Sequence, residues 1–223
     1  MFNKSRFNIK TVQPNRTRPF HKAIYLVISF GVVQFIVVTL FAAILYPGGY
    51  DFIAYYLSDL GTTMTRVGEA NTLSSGLFAF TLIVIAVTLI PFWISVSSIF
   101  RESKLETVVS RFGSTLGVLS SPFIIGVALT PMDTHLTLHF TMFLVFFPLF
   151  IAASLLYSCL IIRGRKYQSH VGIFGLGLFL FDVIVLMNPL ASYGAMLQKV
   201  LLYGHFVWVL ALTHLVKDTR ARG

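Results

Sequence analysis

The sequence predicts an all-α membrane protein: a polytopic bundle of six transmembrane helices, both termini cytoplasmic, with a short interfacial helix on the outer side. Three observations carry this. Charged residues are 11% of the 223 positions and apolar residues 56%, whereas a soluble domain has about 25% and about 45–50%, so most of the surface is not built to face water. Six stretches are long and apolar enough to cross a hydrocarbon core about 30 Å thick. The basic residues also fall on alternate connections between those stretches. Such a composition excludes a cytosolic enzyme, a disordered tail and a secreted disulfide scaffold. The single Cys159 cannot close an intrachain disulfide.

The apolar stretches run over 24–46, 76–99, 113–131, 136–162, 171–190 and 199–216. They are continuous and lack the ten-residue alternation of barrel strands, and open backbone groups have no water to bond in hydrocarbon, so each is read as a helix. Residues 1–23 form a basic cytoplasmic arm, 24–216 the transmembrane domain and 217–223 a basic cytoplasmic tail. The arm carries Lys4, Arg6, Lys10, Arg16, Arg18 and Lys22, and its first 21 residues hold no acid. That composition is also that of a transit peptide, but an arm resting near anionic headgroups is the simpler reading. The first apolar run is too long for a signal-peptide core and is taken as a retained anchor. Two glycosylation sequons, at Asn3 and Asn15, fall on the cytoplasmic side and are read as chance matches.

After the first span, Pro47-Gly48-Gly49 breaks the chain, and 47–75 is the longest connection. Within it Asp51 suits a helix N-cap and Gly61 a helix stop, with Tyr50, Tyr55 and Tyr56 placed for headgroup level. A short helix over the outer mouth is expected there, and Asn71 or Thr72 is expected to cap the second span. Gly113, Gly117 and Ser121 recur every four residues on the third span, and Gly172, Gly175 and Gly177 open the fifth. Small residues let helices approach closely in lipid, where no hydrophobic drive pulls them together. Pro91, Pro122 and Pro148 lie within the second, third and fourth spans, where each removes a backbone hydrogen bond and favours a kink. The 132–135 connection is tight, making spans three and four a hairpin, and Asp133 is placed to cap the fourth span.

Sidedness follows from Lys and Arg. The arm, the 100–112 and 163–170 loops and the tail hold 15 of the 17 basic residues, leaving Arg66 and Lys199 on the other side. The positive-inside rule then puts both termini in the cytoplasm. The net charge of +9 is therefore a signature of topology, and no nucleic-acid partner is needed to explain it.

Ionisable groups within the bilayer are costly and mark functional candidates. Counting down from the outer ends at 1.5 Å per residue, Asp133 and His135 lie at the surface, His139 about 4 Å down, His205 about 9 Å and Asp182 about 12 Å. All descend from the outer side, and Ser58 and Asp59 on the interfacial helix are placed to close the top. His21, His170 and His214 sit at the cytoplasmic ends. Ser58, Asp59, Asp133, His139, Asp182 and His205 are thus the candidate ligand-binding residues. Each has a plain alternative: capping for Asp133, a local cap or Arg66 pair for Asp59, a backbone carbonyl or Asp133 for His139. Asp182 and His205 are natural partners on adjacent spans, since a carboxyl so deep needs a partner or a proton. His139, Asp182 and His205 would also make a divalent-metal site, such as zinc with an open position for water. Neither a haem between His139 and His205 nor a Ser58 nucleophile finds further support.

The string Tyr46-Pro47-Gly48-Gly49-Tyr50-Asp51, then Leu57-Ser58-Asp59-Leu60-Gly61, Asn71 and Leu77-Phe78, resembles a prokaryotic six-span membrane family known as domain of unknown function number 998. Gly126, Pro131-Met132-Asp133 and His139 are similar to its second block, while spans five and six match in pattern alone. The layout is more distantly similar to DRAM/Sfk-type membrane proteins. The resemblance implies a fold and a focal region at Ser58, Asp59, Asp133 and His139, and it implies no reaction. The expected function is a multi-pass cell-membrane protein with an outward-facing polar pocket for a lipid headgroup or small polar ligand. The rivals are an intramembrane metal-dependent hydrolase with Asp59 or Asp133 as base, a carrier protonated at Asp182, and an accessory subunit of a membrane complex. Membrane lipids are the expected partners, with a second copy or a membrane complex as the others.

Overall fold

The computed structural model describes residues 17–164, 167–187 and 193–222, with side chains from Lys22 to Arg220. Six long helices account for nearly all of it: α1 (Thr17–Ile44), α2 (Thr72–Val96), α3 (Lys104–Leu129), α4 (Leu136–Arg163), α5 (Ser169–Leu186) and α6 (Gly194–Arg222). All six are long and apolar enough to cross a membrane. Each packs against its neighbours in sequence, α6 returns to α1, and α2 also touches α6, so the helices form a closed ring. One end of the bundle carries both helical termini and the α2–α3 and α4–α5 connections and is rich in Lys and Arg; it is called the basic end below. The other three connections define the opposite end. Asn3, Asn15 and the basic residues before Thr17, together with Arg165 and Lys166, lie outside the described residues.

Aromatic rings fill the middle. Trp93, Trp208, Tyr157, Phe35, Phe92, Phe150 and Phe206 are all fully buried or nearly so. Trp93 is the hub: it stacks on Tyr157 (centroids 5.8 Å apart, 24° between planes) and meets Phe92, Phe150 and Trp208. Its neighbours are held by hydrogen bonds that carry no charge. The Ser114 hydroxyl bonds to the Trp93 carbonyl, and the Tyr157 hydroxyl donates to the Ser110 carbonyl at 2.7 Å and lies 2.6 Å from Ser114 Oγ. The outward faces are apolar, with Phe30, Ile44, Leu144 and Leu186 among the most exposed side chains, as a surface that meets lipid requires.

The small-residue stripes do what packing in lipid demands. A Cβ on Gly117 would stand 2.2 Å from the Trp93 ring, and one on Gly113 3.2 Å from Tyr157, so these glycines set how closely α3 approaches α2 and α4. On α5, a Cβ on Gly175 would fall 2.1 Å from Ser158 Oγ and one on Gly172 2.8 Å from the Ser158 carbonyl. Gly177 has no atom within 4 Å of such a Cβ and takes no part. Helices α2, α3 and α4 run unbroken through Pro91, Pro122 and Pro148.

Three boundaries differ from expectation for local reasons. Helix α3 begins nine residues before position 113, because the Ser103 hydroxyl caps it by accepting from the Glu106 amide at 3.1 Å, and Glu106 accepts from the Glu102 amide just before the cap at 3.0 Å, which starts a helix in charged sequence. Helix α2 ends at Val96 and continues as a 3₁₀ turn over Ser97–Ile99. Helix α6 extends through the segment read as a tail, and Arg220 on it donates to the Ser95 carbonyl at 3.2 Å and to Ser98 Oγ.

Candidate functional site

At the opposite end, residues 45–71 fold into a cap. Gly48 and Gly49 take positive φ (73° and 87°), which turns the chain back over the bundle just after α1. Asp51 does act as a local cap, accepting from the amides of Ile53 and Ala54 at 2.8 and 3.0 Å, but it closes a turn and not a helix. Those two bonds hold its carboxyl below the usual range. The expected interfacial helix is a single 3₁₀ segment, Leu57–Gly61. Its last residue has no room for a side chain: a Cβ on Gly61 would lie 2.4 Å from the Phe78 ring. A bridge between Met64 and Ala70, with Gly68 at φ 83°, folds the rest of the connection into a small hairpin.

The cap is stitched to the bundle by the polar residues that the sequence singles out. Asp59, 2% exposed, receives the Arg66 guanidinium on both oxygens (3.1 and 2.8 Å) and the Tyr56 amide at 2.7 Å. Arg66 in turn lies 4.3 Å from the Tyr55 ring centroid, a cation–π contact. Asp133 does not cap α4, whose N-cap position is His135 with no side-chain bond. Its carboxylate reaches across to accept from the Thr63 amide, the Thr63 hydroxyl (2.6 Å) and the Met64 amide (3.0 Å). Burial pushes the Asp133 carboxyl up, but the bonds from Thr63 and Met64 outweigh it and the net shift is downward. Ser58 donates to the Met132 thioether at 3.6 Å. Asn71 stands at the N-cap of α2 without bonding the helix; its amide instead donates to the carbonyls of Leu60 (3.0 Å) and Thr62 (2.9 Å).

Two further residues that hold the cap are not among the candidate site residues of the sequence. Gln198 accepts the Leu57 amide at 3.1 Å, and Lys199, 4% exposed, donates to the Tyr55 carbonyl with its ammonium 5.5 Å from the Tyr50 ring centroid. Both stand in the first turns of α6, and a Lys next to an apolar run facing a tyrosine-rich loop was the available signal.

Deeper in the bundle the histidines part company. His139 Nδ1 lies 2.6 Å from the Thr130 carbonyl, so the ring ties the first turn of α4 to the end of α3. His205 on α6 and Asp182 on α5 come together: Nε2 to Oδ2 is 3.3 Å, with the side chains 2% and 5% exposed. His205 Nδ1 lies 2.9 Å from the Leu201 carbonyl, and Phe150 and Phe147 flank the ring edge-on. A carbonyl only accepts, so Nδ1 carries a proton, and Nε2 then faces a carboxylate oxygen across 3.3 Å with one proton needed between them. Whether that proton sits on Asp182 or His205, the pair is neutral overall, as an apolar setting demands. Apart from this His205 contact, neither Asp182 oxygen has a hydrogen-bond partner within the described structure. Among the described residues, no group of three or more His, Cys, Asp or Glu side chains is arranged to hold a metal.

At the basic end, a cleft of about 130 Å³ opens between α1 and α6, with Lys22, Tyr25 and Ser29 on one wall and Thr213, His214 and Lys217 on the other.

No curated protein and no solved structure gives a significant match to the chain. A family match does exist, described as "Protein of unknown function (DUF998)", and it covers residues 29–215, from the second turn of the first span almost to the end of the last. With the six apolar helices and the Leu57–Gly61 cap in place, the chain belongs to that family of multi-pass membrane proteins.

Proposed function

We propose that this protein, set in the cell membrane, binds a lipid headgroup or small polar ligand from the end opposite the basic one, with the Asp182–His205 pair as its anchor and the cap above it. One observation carries the reading: a carboxyl buried between two membrane-spanning helices whose oxygens have, among the described residues, no partner beyond a histidine at 3.3 Å. Buried polar groups are nearly always satisfied, and one that is not asks for a reason. In hydrocarbon the cost is higher still. A ligand hydroxyl donates a hydrogen bond to Asp182 without adding charge, and an ammonium does so where the pair gives up its shared proton. The Asp59–Arg66, Asp133–Thr63 and Lys199–Tyr55 contacts hold the cap in one arrangement at that end.

Thermal unfolding of the purified protein with hydroxyl- and amine-bearing headgroups and small polyols or amines tests this. At least one class is expected to raise the midpoint saturably, and Asp182→Asn is expected to reduce that response. Equal midpoints across every class, or a response that Asp182→Asn leaves intact, would overturn the proposal.

A further inference from the structure

The cleft at the basic end takes no part in that reading, and its chemistry differs. Helix α1 offers Lys22, Tyr25 and Ser29, spaced three and four residues apart so that they share one face. Helix α6 offers Thr213, His214 and Lys217. Lys22 and Lys217 line the cleft as exposed residues, and among the described residues no carboxylate lines it. Asp218, the nearest acid along α6, points about 100° away from Lys217 around the helix. Thr213 spends its hydroxyl on the Val209 carbonyl at 2.7 Å, so it shapes the wall more than it binds.

Tyr25 supplies the second, independent observation. The residue is only 8% exposed, lines the cleft, and its hydroxyl is buried without a hydrogen-bond partner. A tyrosine hydroxyl with no partner among the described residues, on a residue that shares its cleft with two lysines, is a donor in want of an acceptor. The space equals about four water volumes, which suits a compact tetrahedral anion. From the cleft, the outward face of α1 continues as Leu26, Phe30 and Val33, each more than half exposed, toward the middle of the span. A headgroup seated between the helices would therefore have its acyl chains running along an apolar stripe.

We infer that this cleft binds a phosphate group, held by the Lys22 and Lys217 ammonium groups and the Tyr25 hydroxyl. The same chemistry is offered by an anionic phospholipid headgroup and by free phosphate. Lysine binds phosphate as a point charge and needs no planar partner, and the site lies where a helix leaves the apolar layer and headgroup phosphates are found. General attraction of a basic surface to anionic lipid would depend on charge alone. The cleft adds a demand on an uncharged hydroxyl, which separates the two.

The test uses the full chain in dodecyl maltoside, with the unfolding midpoint followed against short-chain phosphatidylglycerol, short-chain phosphatidylcholine, sodium phosphate, and sodium chloride at matched ionic strength. Ligand that binds the folded state alone raises the midpoint with a concentration dependence that reports its affinity. Phosphatidylglycerol is expected to stabilise saturably beyond phosphatidylcholine. Lys22→Gln with Lys217→Gln is expected to weaken the apparent affinity by about tenfold or more, and Tyr25→Phe by about three- to tenfold with all charges kept. Arg101→Gln with Lys104→Gln, at the same end but away from the cleft, should leave it unchanged. Saturation by sodium phosphate as well assigns the site to the phosphate group itself; saturation by the lipid alone assigns it to the headgroup. Equal responses to both lipids and to chloride, or a Tyr25→Phe variant that binds as the parent does, would overturn the inference. Should the double lysine variant fail to fold, Tyr25→Phe decides alone. Asp182→Asn is expected to leave this response intact, so failure here and failure of the ligand site at the opposite end are separate results.

Discussion

Replacing Gly117 by alanine adds a single methyl group where α3 packs directly against the Trp93 ring of α2. Its Cβ would stand 2.2, 2.4 and 2.5 Å from three atoms of the Trp93 ring, where ordinary contact begins at 3.4 Å, so something must give by more than an ångström. The ring cannot move aside: Phe92, Phe150, Tyr157 and Trp208 enclose it, and all five are buried to within 1%. Helix α3 must therefore back away from α2, which also strains the Ser114 bond to the Trp93 carbonyl one turn earlier. Overpacking of this kind costs about 1–3 kcal/mol, and more where the neighbours are rigid. Exchanging glycine for alanine in a helix returns about 1 kcal/mol, so a net loss of up to about 2 kcal/mol is expected, about 1–3 kcal/mol less stable than a control with the same propensity gain and no clash. Gly177→Ala is the internal control, with the same propensity gain and no atom within 4 Å; it should be neutral or stabilising by up to about 1 kcal/mol. Denaturation of both variants in mixed micelles, followed by tryptophan fluorescence, measures the difference. If Gly117→Ala proved as stable as Gly177→Ala, the claim that glycine sets the α2–α3 distance would be wrong.

Other outcomes concern the cap. Asp133→Asn removes the charge that gathers Thr63 and Met64; because the site is exposed, the expected loss is only about 1 kcal/mol, concentrated as faster hydrogen exchange at those two amides. The Asp133 carboxyl is depressed below its ordinary 3.8 in the folded chain, so its contribution is complete above pH 3.8 and fades as the pH falls through the lowered value. Midpoints measured from pH 6 down to pH 3 should fall more steeply in the parent than in Asp133→Asn. Arg66→Gln strands the Asp59 carboxylate, 3% exposed against 44% for the arginine; screening at the arginine reduces the usual cost of breaking a buried pair to about 1–3 kcal/mol. Adding Asp59→Asn should recover part of it, and strictly additive losses would show that the two do not interact.

The six helices were legible because hydropathy and length decide them in lipid, and the glycine stripe of α3 was legible because small residues at four-residue spacing have few other uses there. The boundaries were harder. Lys104, Glu106 and Arg111 look like a loop by charge, yet the Ser103 N-cap bond to the Glu106 amide makes them the first turns of α3. Asp133 shows why a capping residue is ambiguous in sequence: its position just before a helix is the same whether its oxygens serve that helix or a loop 70 residues away. Asn71 fails in the same way, its amide satisfying Leu60 and Thr62 in place of α2. Depth counting placed Asp182 and His205 at neighbouring levels, and the structure pairs them because α5 and α6 are adjacent. The same counting could not say that His139 would turn to Thr130, since depth along a helix carries no information about which face a side chain takes.

An experimental density map of the protein in lipid nanodiscs, inspected around Asp182, is the most direct trial of the proposed ligand site. The account expects a non-protein group within about 3.5 Å of an Asp182 oxygen, on the side facing the cap. A map in which Asp182 accepts its hydrogen bonds from protein side chains, with only packed Phe147, Phe150 and neighbouring helix around it, would contradict it.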